Sequence, residues 1–398
     1  MNILFISPSS PRESIGGIER YISNLIDYCK SQPDIKAKIL LPTYDKESVE
    51  EDGNVSLCFS NDLAMVPNIS AVEASAKARS FAKTVERIIS EDKIDIICAE
   101  NFHLGFPPAF GIILNVIGEI NKVPLVLRLH SFATTDLQKE LINQLMWRKI
   151  SSVSMSVSGD CFEKGASIDA LSTNYLGVDT KKFNNKALPN NVREEAGIGR
   201  KDKIVLTACR IIDDKKNILT EKGIINLVES FSKISPHYPN LRLLVAVARP
   251  PKSLENEFKI ALEILKGHIR LRVVAGQTIV KVFGLAEMPD VYRESDLFVL
   301  ASQNETFGQV FIESMACDLP VIGTKVGGIP EIISDSYNGY LVLPDDASVL
   351  AQRIESILND NSVRKHFIEN GRRTVKEKFT LEKQFGSFME MLKSLIKA

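Results

Sequence analysis

Apolar residues in this chain gather in short runs, separated by longer stretches in which they recur with a helical period. The runs 2–7, 37–41, 94–99, 123–129, 153–158 and 174–176 read as buried strands, and 18–29 and 71–91 read as amphipathic helices between them. A second series follows: strands at 204–208, 241–247, 270–275, 280–284 and 297–301, with helices at 223–232 and 289–293. The stretch 184–203 that separates the two series is polar, carries Pro189, Gly197 and Gly199, and has no sustained apolar period. Strand and helix alternate on both sides of it, which predicts an α/β protein of two doubly wound, Rossmann-like domains. The expected boundaries are a first domain at 1–184, a linker at 185–203, a second domain at 204–375 and a C-terminal segment at 376–398. The final helices, 347–358 and about 384–397, are expected to return toward the first domain. Two such sheets facing each other would place a ligand cleft between them.

One stretch carries most of the chemistry. After the strand 297–301 comes a polar loop, Ser302-Gln303-Asn304-Glu305, then a helix expected at about 307–317, then a strand opening at Pro320-Val321-Ile322-Gly323. The loop of such a βαβ unit lies at the carboxyl edge of a parallel sheet, where open α/β sheets bind ligands. The backbone N–H groups of Thr306, Phe307, Gly308 and Gln309 would be free at the helix start, an anion-seeking end. Glu305 and Glu313 flank it, which suits a ligand with phosphate in the middle and hydroxyls at both ends. A bland reading stands beside this one: Glu305 as a helix cap and Glu313 on a solvated face.

Gly16-Gly17 precede the helix 18–29 and would let backbone approach a phosphate without a Cβ in the way; an ordinary βα turn would look the same. A dinucleotide fingerprint is missing, because there is no Gly-x-Gly-x-x-Gly and the strand 37–41 ends in Pro42-Thr43 rather than an acid. That argues against a nicotinamide dehydrogenase. His103 and His130 each follow a strand at its carboxyl end, on the ligand-binding edge, where a lone histidine is more often structural. The helix 71–91 presents Lys77, Arg79, Lys83 and Arg87, which read as a solvated face or as a contact for anionic lipid or acceptor.

Composition narrows the class. The 398 residues suffice for two domains, and 44% hydrophobic with 25% charged residues describe a globular chain. A net charge of −1 gives no reason to expect nucleic acid as a partner. No apolar run reaches a membrane span, and the amino terminus reads as a first strand rather than a signal peptide. The 6 cysteines form no Cys-x-x-Cys pair and the 5 histidines do not cluster, so reduced core cysteines, a cytoplasmic setting and no zinc site are expected.

The ordered series Glu305-Thr306-Phe307-Gly308, Glu313-Ser314-Met315-Ala316, Pro320-Val321-Ile322, Gly327-Gly328-Ile329-Pro330-Glu331 and Asn338-Gly339 resembles the carboxyl-domain signature of the family 4 retaining glycosyltransferases, which belong to group 1. Gly16-Gly17-Ile18-Glu19-Arg20 and Gly177-Val178-Asp179 resemble further family segments. The resemblance implies the GT-B fold and transfer of sugar from a nucleoside-diphosphate sugar, UDP- or GDP-linked, to a sugar, glycolipid or small-molecule acceptor. It further implies retained configuration by a same-face mechanism, in glycan or glycoconjugate biosynthesis; peripheral attachment at the inner membrane face is the expectation that goes with the lipid reading of the basic helix 71–91. It leaves oligomeric state open.

By the same resemblance His130 reaches the transferred sugar, Glu305 holds sugar hydroxyls, Glu313 takes ribose hydroxyls, and Gly16-Gly17 face the diphosphate. A leaving diphosphate needs positive charge. No Asp-x-Asp stands in a strand-end loop to hold a metal, so no metal and no other cofactor is expected. Arg210 and Lys215, five apart past the strand 204–208, fit the cationic role and the family spacing. The family's Lys-Gly is replaced there by Lys215-Lys216-Asn217 and appears later as Lys222-Gly223, so either Lys215 acts or Lys222 folds back. A GT-B epimerase, a phosphorylase and a non-catalytic nucleotide-sugar-binding protein are the alternatives. No pyridoxal-phosphate lysine environment is identifiable, and Glu305, Glu313 and Arg210 are all in place.

Overall fold

The computed structural model describes residues 1–12, 16–65, 69–186, 190–211, 218–248, 255–272 and 274–397. By contacts the chain forms two units, Met1–Leu176 with Leu381–Ala398, and Gly177–Thr380.

The first unit holds eight strands: β1 (Asn2–Ile6), β2 (Lys36–Pro42), β3 (Ser48–Asp52), β4 (Val55–Ser60), β5 (Ile96–Glu100), β6 (Leu125–Leu129), β7 (Lys149–Ser152) and β8 (Leu171–Thr173). Their order is β3-β4-β2-β1-β5-β6-β7-β8, parallel except for the β3–β4 hairpin. Ile3, Leu4, Phe5 and Ile6 of β1 have no exposed surface, as expected of a strand covered on both faces. Helix Ala71–Asp92 packs on Pro108–Asn121, where the Phe81 and Phe110 rings stand 5.1 Å apart. Helix Leu381–Lys397 packs on Gly17–Lys30, its Phe385 ring 5.6 Å from that of Tyr21. Asn174 fixes this last helix by donating to the Gln384 carbonyl at 2.9 Å and the Ser387 hydroxyl at 2.7 Å.

The second unit holds β9 (Lys203–Cys209), β10 (Leu241–Ala248), β11 (Thr278–Phe283), β12 (Leu297–Leu300), β13 (Val321–Thr324) and β14 (Tyr340–Val342). All pair in parallel in the order β11-β10-β9-β12-β13-β14. In each sheet the order reverses at the first strand, between β1 and β5 and between β9 and β12. The carboxyl ends of these strand pairs are the topological switch points, where doubly wound sheets open a crevice.

Several expected elements differ. The run 153–158 is not a strand: β7 ends at Ser152, and the Ser154 hydroxyl accepts from Val157 N at 3.2 Å, capping the helix Met155–Glu163. The run 174–176 lies just past β8. Of the run 270–275, Arg270 and Leu271 end helix Glu255–Leu271 and Val274 is buried in the core, while Val273 lies outside the described residues. The β3–β4 hairpin was not anticipated, since β3, SVEED, is exposed throughout and shows no apolar face. The expected linker belongs to the second unit, where Arg193 donates to Glu294 at 2.8 Å and to the carbonyls of Gly199 and Asp202. Helices Ala347–Asn359 and Asn361–Lys378 also belong to the second unit; of the expected returning helices, only Leu381–Lys397 belongs to the first.

Candidate active site

In the second unit the site starts where β9 and β12 end. Arg210 follows β9 and is exposed. Lys215, Lys216 and Asn217 lie outside the described residues. Lys222-Gly223 then turns into helix Ile224–Ile234. Gly223 has a φ of 64°, and a Cβ on it would lie 1.7 Å from the Ala301 carbonyl oxygen, so only glycine lets this turn press on the end of β12. The turn delivers Lys222, whose Nζ donates to Glu305 Oε2 at 2.9 Å. The side chains of this pair are 21% and 16% exposed. Burial pulls the Lys222 pKa down, but the charge and hydrogen bond of Glu305 outweigh it and the net shift is upward. Lys222, Arg210 and Glu305 all act electrostatically on the Cys209 thiol, which burial raises to about 12. Lys222 and Glu305 thus lie near the end of β9, which Arg210 follows in the chain.

The Glu305 loop is fixed from both sides. Gln303 N donates to the Glu221 carbonyl at 2.7 Å and Gly328 N to the Glu305 carbonyl at 2.9 Å. A Cβ at Gly327 would lie 1.8 Å from the Glu305 carbonyl oxygen, and one at Gly328 2.5 Å from that of Thr306. The Gly-Gly pair thus serves close backbone approach. Asn338 is structural too, accepting from Ser334 N and donating to the Ile332 carbonyl and Thr374 hydroxyl.

The helix is shorter than expected, Gln309–Ala316, with Gly308 at its N-cap in the left-handed region (φ 100°) and no side-chain cap. Thr306 and Phe307 precede it, so its first-turn amides are those of Gln309, Val310 and Phe311. Phe307 is 1% exposed and packs edge-on against Phe379 at 5.8 Å, a core contact. Glu305 is not the helix cap. Glu313 is not on a solvated face: it is 1% exposed, and its Oε2 accepts from the Tyr292 hydroxyl at 3.0 Å.

In the first unit Gly16 caps helix Gly17–Lys30 in extended conformation, and nothing among the described residues lies within 4 Å of a Cβ built on Gly17. His130 follows β6 and is buried; its Nε2 lies 2.8 Å from Glu100 Oε2 at the end of β5. The Tyr21 hydroxyl donates to Glu100 Oε1 at 3.3 Å, and Asn101 Oδ1 accepts from His130 N at 2.8 Å. Burial lowers the His130 pKa, with Glu100 opposing. His103 is buried as well, and neither ring nitrogen makes a hydrogen bond of good geometry. The sequence singled out both histidines but not Glu100, although a charged residue closing the buried run Ile-Ile-Cys-Ala is itself a signal.

Residues 193–374, within the second unit, match the model of the family described as glycosyl transferases group 1. The chain is 28% identical over 314 residues to N-acetyl-alpha-D-glucosaminyl L-malate synthase of Bacillus anthracis, 76% of each protein. By this region the chain resembles the group 1 glycosyltransferases. A glycosyltransferase of Methanocaldococcus jannaschii is 26% identical over 381 residues, covering 95% of this chain and 94% of that one. The fold is that of GT-B enzymes. A Rickettsia africae glycosyltransferase structure superposes with a TM-score of 0.79 at 20% identity, over 100% of this chain and 98% of that one. Anabaena Alr3699/HepE, solved in complex with UDP and glucose, gives 0.74 at 18% identity over 98% and 99%.

Proposed function

We propose that this protein is a retaining, metal-independent glycosyltransferase that moves a hexose from a UDP- or GDP-sugar to a hydroxyl of a sugar, glycolipid or small-molecule acceptor. The observation that carries the reading is the Lys222–Glu305 pair at the switch point of the second sheet, where Arg210 follows the end of β9. Cleaving a sugar–diphosphate bond builds negative charge on the leaving oxygen and positive character on the anomeric carbon. One cation–carboxylate pair supplies both counter-charges. Lys222, with Arg210, faces the diphosphate, and Glu305 faces the sugar hydroxyls and the anomeric centre. The carboxylate keeps the lysine protonated at neutral pH, so the charge is present before the bond weakens.

Gly17 leaves room for phosphate against the start of its helix, and Glu313 takes ribose hydroxyls. The HepE structures, solved with UDP and with UDP-glucose, favour a uridine nucleotide as donor. The names of two relatives, a malate glycosyltransferase and a capsular polysaccharide enzyme of Staphylococcus aureus, are compatible with small-molecule and glycan acceptors alike. Mass-spectrometric screening of UDP-, GDP- and ADP-sugars for turnover, with and without hydroxylated acceptors, tests the reading. Turnover of a single nucleotide class with retained anomeric configuration supports it. No turnover of any of them, or an inverted product, overturns it.

A further inference from the structure

Buried carboxylates are costly unless several donors converge on them. Glu100 has no exposed surface, and two of the groups that meet it come from different elements: Tyr21 from the helix after β1 and His130 from the end of β6. His130 is held at three points. Its backbone N–H is bound by Asn101 Oδ1, Tyr21 packs edge-on at 4.7 Å between centroids, and Nε2 sits on Glu100 Oε2. An ionised carboxylate only accepts, so Nε2 must carry the hydrogen. In a neutral imidazole the lone pair then lies on Nδ1, which has no hydrogen-bond partner among the described residues.

We propose that Glu100 is a positioning residue that locks His130 in the Nε2–H tautomer, so that Nδ1 accepts a hydrogen bond from a substrate hydroxyl. A lone pair there repels phosphate and carboxylate oxygens, so the group against His130 is a sugar or polyol hydroxyl. The proposal deepens the function above and rests on the glycosyl-transfer reading, with His130 as the sugar contact that the family resemblance implies. The groups that act on the ring are Glu100 on β5, Arg128 on β6, Glu19 and Tyr21 on the helix Gly17–Lys30, and His103 after β5.

The decisive measurement is the ring ¹⁵N spectrum of His130 in the full-length protein, assigned by substituting each of the 5 histidines in turn. Pyrrole-type and pyridine-type nitrogens resonate far apart, and the expected result at neutral pH is a protonated Nε2 with an unprotonated Nδ1. This readout needs no turnover, so it stands even if the donor screen fails. In Glu100→Gln the tautomer preference is lost and kcat falls about 10²-fold. The acid limb of its rate profile also moves to lower pH, because the carboxylate no longer supports the imidazolium. Loss of plain structural support would move neither tautomer nor limb. A protonated Nδ1 in the wild-type protein overturns the proposal. So does a Glu100→Gln variant that keeps both tautomer and rate, and if that variant does not fold, the wild-type spectrum decides alone.

Discussion

Lys222 and Glu305 stand 83 positions apart in sequence and 2.9 Å apart in space, joined because β9 and β12 are neighbours and Gly223 lets the lysine turn press on the end of β12. Family spacing alone favoured Lys215 for the cationic role, whereas the pairing favours Lys222.

Lys222→Ala is therefore expected to lower kcat by ~10² to 10³, the usual effect of losing one preorganised charge at a reacting centre. It should also cost about 2 kcal/mol of stability, since it leaves Glu305 partly buried and unpaired. Lys215→Ala and Lys216→Ala should stay within about tenfold of wild type. Steady-state kinetics on the three variants decides: a silent Lys222→Ala beside a dead Lys215→Ala returns the role to Lys215.

Much of the architecture was legible because buried parallel strands are continuous apolar runs, and β1, β2, β5, β6, β9, β10 and β12 were read within a residue or two of their ends. The failures have physical causes. Exposed β3 carries no apolar signal, and within 270–275 Leu271 is an exposed helix end while Val274 alone among the described residues is buried, so the apolar run there is not a strand. The site was legible in parts. Glu305, Arg210 and His130 could be named from strand ends and resemblance, but burial could not: nothing in the sequence shows Glu313 withdrawn onto Tyr292, or His130 seated on Glu100.

The two kinds of glycine separate in experiment. Gly327→Ala drives a Cβ into the Glu305 carbonyl, so the loop must shift, at a cost of about 2 to 3 kcal/mol and most of the activity. Gly17→Ala meets nothing within 4 Å among the described residues and adds a better helix former, so Tm should hold within a degree or two while KM for the nucleotide-sugar rises about tenfold or more. Thermal melts and KM values on both variants check this. A Gly17→Ala enzyme with unchanged KM would show that the space beside Gly17 is not used by the diphosphate.

Glu313 offers a sharper contrast. Glu313→Gln should weaken binding of the free nucleoside diphosphate by ~10-fold or more, because ribose hydroxyls lose a charged acceptor. Tyr292→Phe removes the hydroxyl that donates to Oε2 and should change affinity by less than about threefold. Titration calorimetry with the free nucleotide distinguishes them, and equal effects would make Glu313 a purely structural partner of Tyr292.

With Arg210 and Lys222 as the counter-charge to the diphosphate, turnover should persist in excess chelator. Loss of activity there, restored by added magnesium or manganese, would contradict the metal-independent mechanism.

His103 links the first unit to pH. Burial holds its pKa down to about 4, and the backbone at Ser131 and Phe132 opposes that shift only in part. An unfolded histidine titrates near 6.5. Between pH 6.5 and 4 the unfolded chain therefore takes up a proton that the folded chain does not. Stability falls as pH drops through that window, by about 3 kcal/mol in all from this one group, and is fully present above it. His103→Gln removes the effect whatever else it changes, so the stability difference between wild type and variant should vary with pH between 7.5 and 4.5 and level off above 7. Trp147, the chain's 1 tryptophan, is buried in the first unit, so its fluorescence in urea titrations follows the unfolding of the unit that holds His103. A difference that stays constant across that range would mean that His103 is charged and compensated in the folded protein.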